Sequence, residues 1–141
     1  VSRVLIDSNI FVYAFDRADP DKRAKALRLI EEVTLKDDLV LSAQVLNELA
    51  WTLLRRGKDL DLDPEKVRRI VAYIVQSFQV VPLTPEMTLT ALSSALRHGL
   101  SFWDGLIWAA ARHHRLSTIY TEDFQHDREV EGVRFLNPFI G

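Results

Sequence analysis

Short apolar runs alternate with longer segments of helical period along this chain, and that alternation restricts the fold more than any other feature. The runs are RVLI at 3–6, DLVL at 38–41, QVV at 79–81, TIY at 118–120 and VRFL at 133–136. They are too short for helices, and most are apolar on both alternating faces. Such strands belong inside a parallel sheet covered by helices. The segments between them carry their own start signals. Asp19-Pro20, Asp63-Pro64 and Thr84-Pro85 each place an N-cap residue before a proline at the first helical position. Ser42 and Ser101 supply caps for two further helices.

The pattern predicts a helix from Pro20 to about Val33, with Ala26, Leu27, Ile30 and Val33 inward. A second carries Val45, Leu46, Leu49, Leu53 and Leu54 and is ended by Gly57. A third carries Val67, Ile70, Val71 and Ile74. A fourth turns Leu89, Leu92, Ala95 and Leu96 inward and is closed by Gly99. A fifth runs from Ser101 to about His114. Asn9 to Phe15 reads as a short helix or turn, and residues 57–63 and 124–132 read as loops. The expectation is one α/β domain over residues 1–141, with a five-stranded, mostly parallel sheet and strand 133–136 at a possible edge.

Composition narrows the function classes. The chain of 141 residues has no cysteine, which excludes a disulfide framework and any thiolate metal site and is compatible with a reducing cytoplasm. Its net charge of −2, from 18 basic and 20 acidic residues, does not fit a general DNA-coating protein. Local nucleic-acid binding through a basic rim or a bound metal stays open. No apolar run approaches the roughly 18 residues of a membrane span, and VSRVLID is too short in its apolar part to predict a signal peptide.

Against this frame, four carboxylates fall where each can reach one small volume. Asp7 follows the first strand, and Asp123 lies just past the strand at 118–120. Glu48 lies near the border of an apolar helical stripe, and Asp104 lies in the first turn of a helix apolar almost all round. Converging acids oppose their own ionisation unless a cation binds. Hard oxygen ligands suit Mg2+ or Mn2+, the requirement of metal-assisted phosphodiester hydrolysis. Each acid alone has an ordinary reading: Asp7 as an N-cap, Asp123 as a turn residue, Glu48 as a solvated glutamate, Asp104 within the capping motif S-F-W-D.

Taken together, LIDSNIFVYAF, SAQVLNEL, LSFWDGLIWAAA and IYTEDFQHDREVEGVRFLNPF resemble the acidic motifs of PIN-domain ribonucleases, especially VapC-type toxins of toxin–antitoxin pairs. The resemblance implies a three-layer α/β/α fold and a Mg2+ or Mn2+ site at one sheet edge. It also implies an endoribonuclease leaving a 5′ phosphate and a 3′ hydroxyl. Asp7, Glu48, Asp104 and Asp123 match the family's acidic positions, and Asn9 and Thr121 its accessory polar positions. An RNA substrate, a small VapB-like antitoxin and a homodimer follow as expected partners. Trp51, Leu54, Ile70 and Ile74 offer apolar surface for such contacts. One departure is Asp127, where related sequences often carry glycine; Glu122 is a second acid beside Asp123.

Two other classes compete. A phosphatase would use Asp7 as nucleophile, but that chemistry usually wants an acid where this chain has Asn9. A non-catalytic binding module would bind metal without cutting RNA. Candidate phosphate contacts are Arg17, Lys22, Arg23, Lys25 and the run Arg112 to Arg115. His113 and His114 point different ways on a helix and read as surface residues rather than a zinc pair. Phe15, Trp51 and Trp103 could stack bases, although core packing is the expected role of all three.

Overall fold

The computed structural model describes residues 2–140. Its strands are β1 (Arg3–Ile6), β2 (Asp38–Ser42), β3 (Gln79–Val81), β4 (Thr118–Tyr120), β5 (Arg128–Val130) and β6 (Val133–Leu136). They form one sheet in the order β3-β2-β1-β4-β6-β5. All neighbours are parallel except β5 and β6. The helices are α1 (Ser8–Tyr13), α2 (Pro20–Lys36), α3 (Ala43–Arg55), α4 (Gly57–Leu60), α5 (Pro64–Ser77), α6 (Pro85–His98) and α7 (Phe102–His113).

The local rules explain the starts. Asp19, Ser42, Asp63, Thr84 and Ser101 each accept a hydrogen bond from the backbone N–H three residues on. Gly99, at φ 69°, ends α6 in the left-handed region. Leu5, Ile6, Val40, Leu41, Ile119 and Phe135 are fully buried along the strands. Each such side chain contributes roughly 1.5–3 kcal/mol relative to exposure. The chain leaves β1 for β2 and β3 on one side, then returns as β4 on the other. Right-handed crossovers therefore place the helices on both faces. Strand order switches between β1 and β4, and ligands in open α/β sheets bind beyond the carboxyl ends of the strands at such a switch.

Among the described residues the sheet has six strands, not five. Residues 124–132, expected as a loop, contain β5, which forms the edge in place of β6. Residues 57–63, also expected as a loop, begin with the single turn of α4, and Arg56 rather than Gly57 caps α3. Leu27 and Leu54 are exposed rather than inward, as are Leu89, Leu92 and Leu96 on α6.

The α6 reversal has a physical cause. Met87, Ala91 and Ser94 form a competing stripe that packs on α7, where the facing residues are also small. A Cβ at Gly105 would come within 2.6 Å of Ser94 Oγ and 3.0 Å of the Ala91 carbonyl oxygen. Close approach of two backbones therefore outweighs the burial of three leucines. We expect Gly105→Ala to destabilise the fold by about 1–3 kcal/mol, despite alanine's better helix propensity. Urea unfolding checks this, and an unchanged midpoint would contradict the contact.

No helix among the described residues is long and apolar enough to cross a membrane.

Candidate active site

Asp7 stands at the switch point, one residue past β1. Its N–H donates to the Tyr120 carbonyl at the end of β4 (2.9 Å), which locks the two strand ends together. Its side chain is 5% exposed, and both carboxylate oxygens are engaged. The Ser8 N–H donates to Oδ1 (2.7 Å) and the Thr121 hydroxyl to Oδ2 (2.8 Å). Asp7 is therefore the N-cap of α1 as well as a member of the acid group. Thr121 Oγ1 also accepts the Asp123 N–H (3.2 Å), so one buried hydroxyl joins two of the acids. The Asn9 amide donates to Asp123 Oδ2 (3.0 Å).

Glu48 and Asp104 approach from α3 and α7. Gln44, one turn before Glu48, is buried and donates to the Trp103 carbonyl (3.2 Å), joining the two helix N-termini. Ser101 caps α7 by accepting the Asp104 N–H (3.2 Å), as the S-x-x-D motif predicts. Among the described residues, Glu48 Oε1 is buried with no hydrogen-bond partner. So is Asn9 Oδ1. Gln44 escaped the sequence reading, although its position four residues before Glu48 on one helix face was available as a signal.

The charges respond to one another. Burial holds the Asp7 carboxyl above the ordinary range. Hydrogen bonds from Thr121 and Ser8 oppose this, and the charges of Asp123 and Asp104 add to it. Glu48 is pushed up to about 7, first by burial and then by the charge of Asp7. A hydrogen bond from Gln44 offsets this only in part, while Asp104 and Asp123 push further. Asp123 is raised by burial against the Asn9 hydrogen bond, with Glu122 and Asp104 adding. All four acids thus lie within electrostatic reach. Among the described residues, no three carboxylates or histidines already stand at the spacing of a finished metal-ligand set.

Glu122 is turned away from this group. Its carboxylate accepts from the Tyr13 hydroxyl (2.8 Å) and pairs with Lys22. Asp127 has φ 64°, in the left-handed region that glycine adopts without strain, and its carboxylate pairs with Arg134 (2.6 Å). Aspartate tolerates the left-handed region better than most residues. We expect Asp127→Gly to change stability by less than about 0.5 kcal/mol, because the exposed ion pair is worth little and the relieved backbone offsets it. Asp127→Ala should cost about 1 kcal/mol. Equal effects of the two substitutions in denaturant unfolding would contradict this.

Several proposed phosphate contacts are engaged elsewhere: Lys25 with Asp21 (3.5 Å), Arg112 with Glu131 (2.8 Å) and Lys22 with Glu122. His113 is exposed, as expected, and His114 is half-buried. Phe15 packs against the core, but Trp51 and Trp103 are 65% and 62% exposed, which corrects the expectation that they are core residues.

Comparison with known proteins agrees with this architecture. No curated protein sequence matches the chain. Among solved structures, it is similar to a toxin–antitoxin complex from Klebsiella pneumoniae, at 18% identity and a TM-score of 0.70, over 96% of this chain and 97% of that one. It is also similar to a VapBC complex from Rickettsia felis bound to a promoter DNA fragment, at 17% identity and a TM-score of 0.67, over 94% and 96% of the two chains. A third is a sarcin-ricin-loop-cleaving VapC toxin from Mycobacterium tuberculosis, at 20% identity and a TM-score of 0.64, over 82% and 86%. At these identities the likeness establishes the fold. The PIN domain profile matches residues 4–129, nearly the whole length and all four acids, and the chain belongs to the PIN-domain family.

Proposed function

We propose that this chain is a Mg2+- or Mn2+-dependent endoribonuclease, a single PIN domain over residues 1–141 acting in the cytoplasm as the toxin of a VapBC-type pair. One observation carries the reading: four carboxylates lie within electrostatic reach of one another around the strand-order switch, and among the described residues Glu48 keeps a buried oxygen with no partner. An unpaired buried acceptor among like charges is costly. A divalent cation satisfies it, and oxygen donors alone suit Mg2+ or Mn2+. Family membership and a structural neighbour that cleaves the sarcin-ricin loop support RNA as the substrate.

In this reading Asp7, Glu48, Asp104 and Asp123 hold the metal. When bound, the cation supplies Lewis-acid stabilisation of phosphoryl charge. Thr121 fixes the Asp7 carboxylate, and Asn9 fixes Asp123. One of these carboxylates would also accept the proton of an attacking water. Asn9, bonded to Asp123, stands where a phosphatase with Asp7 as nucleophile would want a second acid, which disfavours that alternative.

Two unpartnered apolar surfaces support protein partners. A groove of about 660 Å3 between α2 and α5 is lined by Phe15, Leu27, Leu35, Ile70 and Tyr73, and fits the antitoxin. The outward leucines 89, 92 and 96 of α6 fit a second copy. Of the earlier candidates for such contacts, Trp51 and Leu54 are exposed, whereas Ile74 is buried and Ile70 half-buried.

Incubation with structured RNAs and Mg2+ or Mn2+ tests the activity; cleavage that persists in excess EDTA would overturn metal dependence. Mg2+ should also stabilise the fold by roughly 2.7 kcal/mol at a hundredfold excess over its dissociation constant. Because protons compete for the carboxylates, the gain should shrink below about pH 5. Thermal melting at pH 5 and pH 8 reads this directly, and a midpoint indifferent to Mg2+ at both would count against a shared site.

A further inference from the structure

We infer that Trp51 and Trp103 form a stacking platform for unpaired nucleobases beside the acidic centre. This rests on the nuclease reading for the class of ligand; the geometry is independent of it. Trp103 immediately precedes Asp104, and Trp51 lies three residues after Glu48 on α3. At 100° per residue, Gln44, Glu48, Trp51 and Arg55 share an arc of about 60° on that helix. The start of this stripe is fixed beside Trp103 by the bond from Gln44 Nε2 to the Trp103 carbonyl. From there the stripe passes the acid cluster at Glu48, reaches Trp51 about 10 Å along the axis from Gln44, and ends at exposed Arg55.

Both indoles are largely exposed, although a chain with this core buries Trp108 almost completely. Each large aromatic surface left in water is a cost unless something covers it. Trp103 is held edge-on by Phe102, with ring centroids 5.1 Å apart, so it is braced rather than free to fold inward. Two aromatic faces, a guanidinium at the far end, and an acidic centre that would attract a phosphodiester through a bound cation match one ligand: a single strand whose bases stack while its backbone crosses the cation site. A duplex hides its base faces and cannot use the platform.

The test uses the full chain with an Asp7→Asn substitution, which suppresses cleavage, in saturating Mg2+ so that the remaining acids do not repel the phosphate backbone. Its tryptophan fluorescence is titrated with a short single strand of mixed sequence, and with the same strand annealed to its complement. The single strand should quench the exposed indoles, and the duplex should not. Trp51→Ala and Trp103→Ala should each weaken single-strand binding roughly tenfold. Trp51→Phe and Trp103→Phe, which keep an aromatic face, should restore most of it. Both positions are exposed, so the variants should fold. Unchanged affinity in both alanine variants, or equal quenching by the duplex, overturns the inference. So does conversion of a dimer to a monomer by Trp51→Ala with no change in RNA affinity, which would assign this face to a second copy. Single-strand binding as described but no cleavage by the wild type with Mg2+ or Mn2+ would instead remove the nuclease reading and leave the platform standing.

Discussion

Asp7→Asn should reduce RNA cleavage by roughly a thousandfold or more, the scale on which losing one member of a preorganised electrostatic site acts. The substitution keeps the shape of the side chain. The amide oxygen can still accept the Ser8 N–H, and the amide N–H can donate to Thr121 Oγ1, so the junction between β1 and β4 stays closed. What disappears is the charge. Because burial already holds the Asp7 carboxyl above the ordinary range, its removal should not destabilise the metal-free protein at pH 8, and should raise its melting temperature. Lost activity with an unchanged or raised melting temperature is the expected pair of results. Lost activity with a collapsed fold would reduce Asp7 to its role as the α1 cap.

The second large effect is a dependence of stability on pH set by Glu48. This carboxyl titrates near 7 in the folded protein, against an ordinary value of 4.5. Between those values the folded state holds a proton that the unfolded state has released. Stability of the metal-free protein is therefore full below about 4.5 and is lost as pH rises through 7. The loss is about 2 kcal/mol once solvent screening of this half-buried group is allowed for, or about 5 °C in melting temperature for a chain of this size. Glu48→Gln should flatten the profile and leave the variant more stable than wild type at pH 8 in EDTA. Saturating Mg2+ should reverse that ranking at pH 8, because the cation then compensates the charge that glutamine lacks. Parallel pH profiles for wild type and variant in EDTA would contradict the assignment.

The parts of this fold that were legible in the sequence are those fixed by local chemistry. Asp-Pro and Thr-Pro starts, serine caps and a closing glycine each depend on a few neighbouring atoms, and each helix begins where they stand. Strand β5 was missed because Arg128–Val130 has one buried apolar residue and exists only through pairing with β6. The short α4 has no apolar period; it is closed by the bond from the Leu62 N–H to the Gly57 carbonyl (2.8 Å). The face of α6 was misjudged because the sequence shows a leucine stripe but not how closely α7 approaches.

The four acids were legible as positions, since strand ends and helix starts set where they stand. Their condition was not. Glu48 keeps one oxygen unpaired among the described residues, and Gln44, one turn before it, bonds to Trp103 across 59 residues; no local pattern reveals either. That Glu122 is withheld from the site follows from its bonds to Tyr13 and Lys22, contacts across about 100 residues that no local pattern reveals.

The central claim is that Asp7, Glu48, Asp104 and Asp123 share one divalent-cation site. Titration of the metal-free chain with Mn2+, followed by calorimetry or by loss of the free-ion paramagnetic resonance signal, tests it without any RNA. The account predicts saturable binding to the wild type, weakened at least tenfold in each of Asp7→Asn, Glu48→Gln, Asp104→Asn and Asp123→Asn. No saturable binding to the wild type, or wild-type affinity in all four variants, would contradict it.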